Sequence, residues 1–278
     1  MKLTTPVPIV PSLKKIDYNS FVFSAGSCFA ENMAQKLEFY QFSGSSNPLG
    51  ILFHPLALLH LFDTADSGNE NFPDTSFFHN EKWHYPGAHS KISNPDRDQL
   101  KATLGKALLE TRNAFFNATH FIFTLGTAWV YREVATAEIV ANCHKLPQHR
   151  FEKVLLSAGE IAEAIARLSA IITKHNPSAQ QIFTVSPVRH IKDGVVGNQR
   201  SKANLISGLH TFLESSTAEA AYFPSYEILL DELRDYRFYA DDLLHPSAMA
   251  IEYIWEKFVA AHMEESAVPV MQEVEALR

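Results

Sequence analysis

The stretch Phe21-Val-Phe-Ser-Ala-Gly-Ser-Cys-Phe-Ala-Glu31 decides how the rest of the chain is read. Phe21 to Ala25 has the apolar, β-favouring character of a strand, and Gly26 ends it. Ser27 and Cys28, two possible nucleophiles, follow at once. Beyond them the apolar residues fall at helical spacing: Phe29, Met33 and Leu37, with Ala30 and Ala34 beside them. A strand that turns through glycine into a helix lifts a side chain to the sheet's carboxyl edge. It also leaves unpaired backbone N–H groups at a helix N-terminus, where negative charge is favoured. Esterases and thiol enzymes need that combination. An ordinary strand-to-helix turn with Cys28 as a small buried residue would carry the same pattern.

Working outward, His120–Leu125 and Gln181–Val185 read as two more strong strands, and Ala220–Pro224 as a short fourth. Helical patterns lie between and after them: 31–40, 55–62, 98–118, 157–176, 202–216, 227–233 and 248–260. The helix at Ser157 has the sharpest signals. Ser157 and Glu160 form a capping box, Ile161, Ile165, Leu168 and Ile172 share a face, and Pro177 follows its end. Strands alternating with such helices imply an α/β fold with a mainly parallel sheet in one domain, 1–278. Residues 1–20, with Pro6, Pro8 and Pro11, read as an extended arm. Residues 63–97 read as an inserted loop region over the pocket mouth, with a plain surface hairpin as the alternative. Residues 43–50 and 132–152 read as loops, 190–201 as a glycine-containing loop, and the tail from Met263 as weakly patterned.

Composition excludes several function classes. Apolar residues make up 46% of the 278 and charged residues 20%, enough for a sizeable core. With 24 Lys+Arg against 31 Asp+Glu, the net charge of -7 argues against nucleic acid or an anionic membrane as partner. No apolar run reaches the roughly 18 residues of a membrane span, and the first residues lack an apolar signal-peptide core, so a cytoplasmic location is expected. Two cysteines do not make a disulfide framework. No Gly-rich phosphate loop appears, so no nucleotide cofactor is expected, and the 13 histidines show no close metal-ligand spacing.

In an open parallel sheet, reactive groups gather at the carboxyl ends of the strands. Four stretches fall there: Ser27-Cys28, Gly126-Thr127, Ser186–His190 and Asp242–His245. Asp242 and His245 are three apart in a turn, where a carboxylate can orient an imidazole and stabilise its protonated form. A helix-entry aspartate and a solvent histidine would show the same spacing.

Gly26-Ser-Cys-Phe-Ala30 also spells the signature of the GSCFA family of bacterial proteins. Asn47–Gly50, Leu125–Tyr131, Asn142–Lys145, Val185–His190 and Asp242–Ser247 resemble that family too, so the resemblance spans nearly the whole chain. The family is similar in turn to the SGNH, or GDSL, hydrolases and the PC-esterases. That resemblance implies a three-layer α/β/α sandwich, flavodoxin-like (SGNH-hydrolase-like), and an esterase or acyltransferase acting on a small-molecule or carbohydrate ester. It implies a triad completed by Asp242 and His245, with Gly50 of the Asn47–Gly50 block as a backbone oxyanion donor. An ungapped match puts Cys28 in the nucleophile's place, and a one-residue shift puts Ser27 there. The third block departs: Gly126-Thr127-Ala128 has no asparagine. Thr127, the Trp129 indole or Asn142 could substitute. Arg189 and His190 are candidates for binding substrate at the rim. A non-catalytic binding protein in the same cleft and metal-dependent hydrolysis through Asp242, His245 and His190 are the competing readings.

Overall fold

The computed structural model describes residues 4–69 and 71–278; residues 1–3, the start of the expected arm, and residue 70 lie outside that description. The first strand forms as read, β1 at Phe21–Gly26, and passes directly into α1 at Cys28–Phe39. A second strand, β2 at Ser43–Ser46, pairs in parallel with β1 (Phe21 opposite Ser43, Ser24 opposite Ser46). This corrects the expected loop. Ser-Gly-Ser-Ser has no apolar alternation because β2 is an edge strand, largely exposed, and backbone bonds pair it with β1.

α2 at Pro55–Asp66 begins with Pro55 at its first position and His54 as cap: the Ala57 N–H donates to His54 Nδ1 at 3.1 Å. The segment after it is partly ordered as a hairpin, β3 at Phe77–His79 and β4 at Lys82–His84. α3 (Arg97–Asn117) leads into β5 (His120–Leu125). The expected loop at 132–152 is instead a small antiparallel sheet, β6 (Trp129–Glu133), β7 (Ile139–Val140) and β8 (Phe151–Leu155), in the order β7-β6-β8. α4 (Ala158–His175) carries the expected capping box, and β9 (Gln180–Val185) follows.

α5 runs from Gly194 to Ser215, eight residues longer at its start than the sequence suggested. Gly194 and Gly197 read as loop signals, yet Gly197 lies in a helix crossed by Trp129, whose indole N–H donates to the Gly197 carbonyl at 3.1 Å. β10 (Ala220–Phe223) and α6 (Ser225–Glu227) come next; α6 continues in π-helical turns over Ile228–Leu233. α7 (Ala248–His262) is capped by Ser247. α8 (Ala267–Leu277) is a helix the weak patterning of the tail did not reveal; Ala267 and Met271 are its buried positions.

The main sheet has the order β10-β9-β5-β1-β2, all parallel. Numbered by rank along the chain, this is 2-1-3-4-5, the flavodoxin-like order. Both faces are buried, and side chains alternate between two cores as the pleat requires. Phe23, Phe121 and Phe183 face a core covered by α2, α3, α4 and α5. Val22, Ile122 and Ile182 face another, built with Phe29 and Met33 of α1 and Ile254, Trp255 and Phe258 of α7. That is a three-layer α/β/α sandwich. The arm lies along α7: the Ser12 N–H donates to Ala261 O and Ile16 forms a bridge to Met263. No helix among the described residues is long and apolar enough to cross a membrane.

Where β1 meets β5 the connections run off in opposite directions, which is the switch point where ligands bind in such sheets. Gly26 lies there with φ +145, and a Cβ on it would stand 2.2 Å from Thr124 O on β5. Only glycine fits. Gly26→Ala combines backbone strain of ~1–3 kcal/mol with overpacking of ~1–3 kcal/mol. We expect a loss of roughly 2–6 kcal/mol in urea unfolding, and an unchanged midpoint would show that β1 and β5 separate without cost.

Candidate active site

Four carboxyl ends of the main sheet converge around Ser27 and Cys28. Asn47, just past β2, accepts the Gly26 N–H on Oδ1 at 2.8 Å. The Ser27 N–H donates to Thr124 O at 2.9 Å. Ser27 is the α1 N-cap, but its hydroxyl makes no capping bond. It is fully buried, and its Oγ has no hydrogen-bond partner. Its side chain lies against Gly126, where an added Cβ would come within 3.1 Å of Ser27 Cβ.

Cys28 is the first residue of α1 and half-buried. Burial pushes its thiol pKa up, and Glu31 adds to that; the charge of Lys202 and the N–H groups of Phe29 and Cys28 pull it down. The helix start thus presents a sulfur, not a hydroxyl, to its first N–H groups.

Asp242 and His245 pair as their spacing suggested. Asp242 Oδ2 lies 2.6 Å from His245 Nδ1, and its Oδ1 accepts the N–H groups of Leu244 (2.9 Å) and His245 (3.0 Å). Those backbone donors, with the imidazole, hold the Asp242 carboxyl down at about 2. The pairing commits Nδ1 to the carboxylate and leaves Nε2 as the ring's open nitrogen. The turn is tied to the loop after β9, where the Arg189 N–H donates to Leu244 O at 3.2 Å. Neither Ser27 Oγ nor Cys28 Sγ is hydrogen-bonded to His245.

The residue that sequence reasoning missed is Lys202. It is fully buried on α5, and its Nζ donates to Gly126 O at 2.7 Å and Ser186 O at 2.6 Å, joining the ends of β5 and β9. Burial lowers its pKa to about 7, and the neighbouring Cys28 opposes that shift. The signal was present in the sequence: Lys202 stands three and seven residues before Leu205 and Leu209, in the apolar stripe of its helix.

His190 follows β9, near the turn of Asp242 and His245. Its backbone N–H donates to Asn198 Oδ1 at 2.9 Å, its ring meets Phe53 edge-on at 5.6 Å, and its Nε2 is buried without a partner. Burial, helped by the charges of Lys202 and His245, lowers its pKa to about 4, so the ring is neutral at pH 7.

Several expected roles change. The Gly50 N–H, expected as an oxyanion donor, donates to Asn47 O at 2.7 Å in a tight turn and is already engaged. Asn47 instead offers an unpaired, buried Nδ2 beside the Gly26–Ser27 turn. The Thr127 hydroxyl pairs with Ser201 Oγ at 3.0 Å and accepts the Trp129 N–H, so it is engaged too. Asn142 is held away by Ser90 and the His144 N–H; it lines a separate cavity of about 410 Å³ between the 73–87 segment and the small sheet. Cys143 is half-buried, and burial pushes its thiol up to about 11. The Arg189 guanidinium makes no ion pair among the described residues; it stacks on Tyr239 at 4.7 Å. No group of three His, Cys, Asp or Glu side chains among the described residues is placed to hold a metal ion, so Asp242, His245 and His190 form no ligand set.

A Streptococcus pneumonia protein, provisionally assigned as a platelet activating factor, is 10% identical with a TM-score of 0.46, over 88% of this chain and 84% of that one. An acetyl xylan esterase from the rumen bacterium Butyrivibrio proteoclasticus is 13% identical with a TM-score of 0.40, over 92% of this chain and 64% of that one. The strand order, not these remote likenesses, defines the fold. No curated protein sequence matches the chain. The model of the GSCFA family matches residues 21–258, from the first strand to the last core helix, and the chain belongs to that family.

Proposed function

We propose that the protein cleaves or transfers the acyl group of an ester, with Cys28 as nucleophile, His245 as general base and Asp242 as its orienting carboxylate. The observation that carries this reading is the 2.6 Å Asp242–His245 contact, made by a carboxylate that two backbone N–H groups fix in place. Cys28 is preferred over Ser27 because its thiol is partly open, whereas the Ser27 side chain is enclosed against Gly126.

In this scheme His245 Nε2 takes the thiol proton as the sulfur attacks the acyl carbon. The carbonyl electron pair moves onto oxygen, which the Cys28 and Phe29 N–H groups and Asn47 Nδ2 stabilise. Collapse breaks the C–O ester bond, and the leaving alkoxide takes the proton back from His245. Water or a second hydroxyl then resolves the thioester.

The test is to trap the intermediate. Mixing the protein with p-nitrophenyl acetate should release a burst of p-nitrophenol and leave one acetyl group on Cys28 by mass spectrometry. Acetylation of Ser27 would move the nucleophile by one residue. Neither burst nor acetylation, with ligands still binding in the cleft, would favour the non-catalytic reading.

A further inference from the structure

We propose that His84 and His144 form a binding site for one divalent transition-metal ion, zinc or a similar one, which pins the β3–β4 hairpin to the connection between β7 and β8. The site is independent of the reading of Cys28. His84 ends β4 and His144 follows β7; both side chains are buried, and their Nδ1 atoms lie 3.1 Å apart. Each Nε2 faces a backbone carbonyl, His84 on His79 O at 2.9 Å and His144 on Tyr85 O at 2.8 Å. A carbonyl oxygen only accepts, so each Nε2 carries its ring's proton and each neutral ring has a bare Nδ1. Two lone pairs therefore converge on one point, and neither nitrogen can donate to the other.

A metal ion uses this arrangement. A ligating imidazole usually gives its other N–H to a carbonyl or carboxylate, which fixes the tautomer and raises the basicity of the free nitrogen. Two nitrogens held at about 2.0–2.1 Å from a tetrahedral ion stand about 3.3 Å apart, close to the spacing already present. Imidazole nitrogen favours zinc, copper or nickel over magnesium or calcium. No third His, Cys, Asp or Glu side chain joins the pair among the described residues. The other donors at hand are hydroxyls: Ser93 Oγ lies 2.6 Å from His84 Nδ1, and Ser90 Oγ 3.2 Å from His144 Nδ1. On binding, these hydroxyls release the ring nitrogens, and their oxygens with water take the remaining positions on the ion. Ser90 is exposed, which gives the ion a way in. With two nitrogen ligands instead of three or four, affinity should be about 1–100 μM.

The surroundings hold the pair in place. Phe77 stacks on His84 at 5.4 Å and meets His144 edge-on at 5.6 Å. Asn142 Oδ1 accepts the His144 N–H at 2.8 Å and the Ser90 hydroxyl at 3.1 Å. His144 and Lys145 both have left-handed backbones, φ +48 and +60, which side chains other than glycine rarely adopt. Phe77, Tyr85 and Asn142 also line the cavity of about 410 Å³, so an ion on the two histidines would stiffen one wall of it.

The test titrates zinc chloride into EDTA-stripped protein by calorimetry and follows the histidine ring nitrogens by long-range proton–nitrogen NMR. One equivalent should bind, and the Nδ1 signals of two histidines should move while their Nε2 atoms stay protonated. His84→Ala and His144→Ala should each weaken binding ~100-fold or more, since loss of an outer-shell partner alone costs ~10–100-fold. No binding at millimolar zinc overturns the site. So does binding that survives unchanged in both variants, which would place zinc on an imidazole–carboxylate pair such as His245–Asp242 or His175–Asp66. If neither variant folds, the parent spectra decide: zinc that moves one histidine or none overturns the site. Cys28→Ala should bind zinc as the parent does, so loss of the acyl-transfer reading leaves this site untouched.

Discussion

Cys28→Ala and His245→Ala should each lower turnover of an activated ester by ~10³-fold or more, and the double variant should lose little beyond either single one. General-base catalysis alone accounts for ~10²–10⁴-fold. Removing the sulfur removes the covalent route, so the base then has no proton to take. The effects therefore overlap instead of multiplying. Both side chains are at least partly open, at the start of a helix and in a surface turn, so neither loss should disturb the cores. Ser27→Ala is the control: it deletes a hydroxyl with no hydrogen-bond partner and should keep most activity. Steady-state rates with p-nitrophenyl acetate, beside thermal melts, check all four variants. Retained activity in Cys28→Ala with loss in Ser27→Ala would reverse the assignment, and four equal rates would remove the triad.

The second large effect is on stability in acid. His54, His120, His144 and His262 are all buried, and burial lowers each pKa to about 4. In the unfolded chain each titrates near 6.5. Below that pH the unfolded state binds protons that the folded state refuses, so stability is full above about 6.5 and drains away as pH falls towards 4. Every tenfold gap in proton affinity between the two states is worth about 1.4 kcal/mol, so two or three such rings can cancel the ~5–15 kcal/mol of a typical domain. Two of them also hold the arm: His262 Nδ1 lies 2.7 Å from Ser12 Oγ, and His120 Nε2 bonds Lys14 O at 3.3 Å. We expect cooperative unfolding between pH 6.5 and 4 by circular dichroism, beginning above the range where carboxylates titrate. A chain still native at pH 4 would mean that these rings admit protons without unfolding.

What the sequence reveals is what its side chains are arranged to bury. β1, β5 and β9 are apolar runs buried on both faces, and α4 carries a complete capping box with a clean stripe, so each is visible in a single pass. β2 is hidden because an exposed edge strand needs no apolar residue, and the small sheet because its short strands alternate weakly. The Asp242–His245 pair is legible because three positions in a turn are enough to form it. Lys202 is legible only as a lysine in an apolar stripe; nothing local says that it will meet the carbonyls at the ends of β5 and β9. Gly50 is a case where a block read from resemblance does not tell which of its donors is engaged: the Gly50 N–H is bonded to Asn47 O, and Asn47 Nδ2 is unpaired.

The two halves of the site sit in unequal surroundings. Cys28 starts a helix anchored by Phe29 and Met33 in a closed core, whereas Asp242 and His245 are half-exposed in a surface turn. Among the described residues, the turn is bound to the sheet side through one backbone bond, Arg189 to Leu244, with further backbone bonds to its own flanks. The proposed nucleophile is therefore held rigidly by a closed core, while the turn that would carry the base has far fewer ties and more room to move.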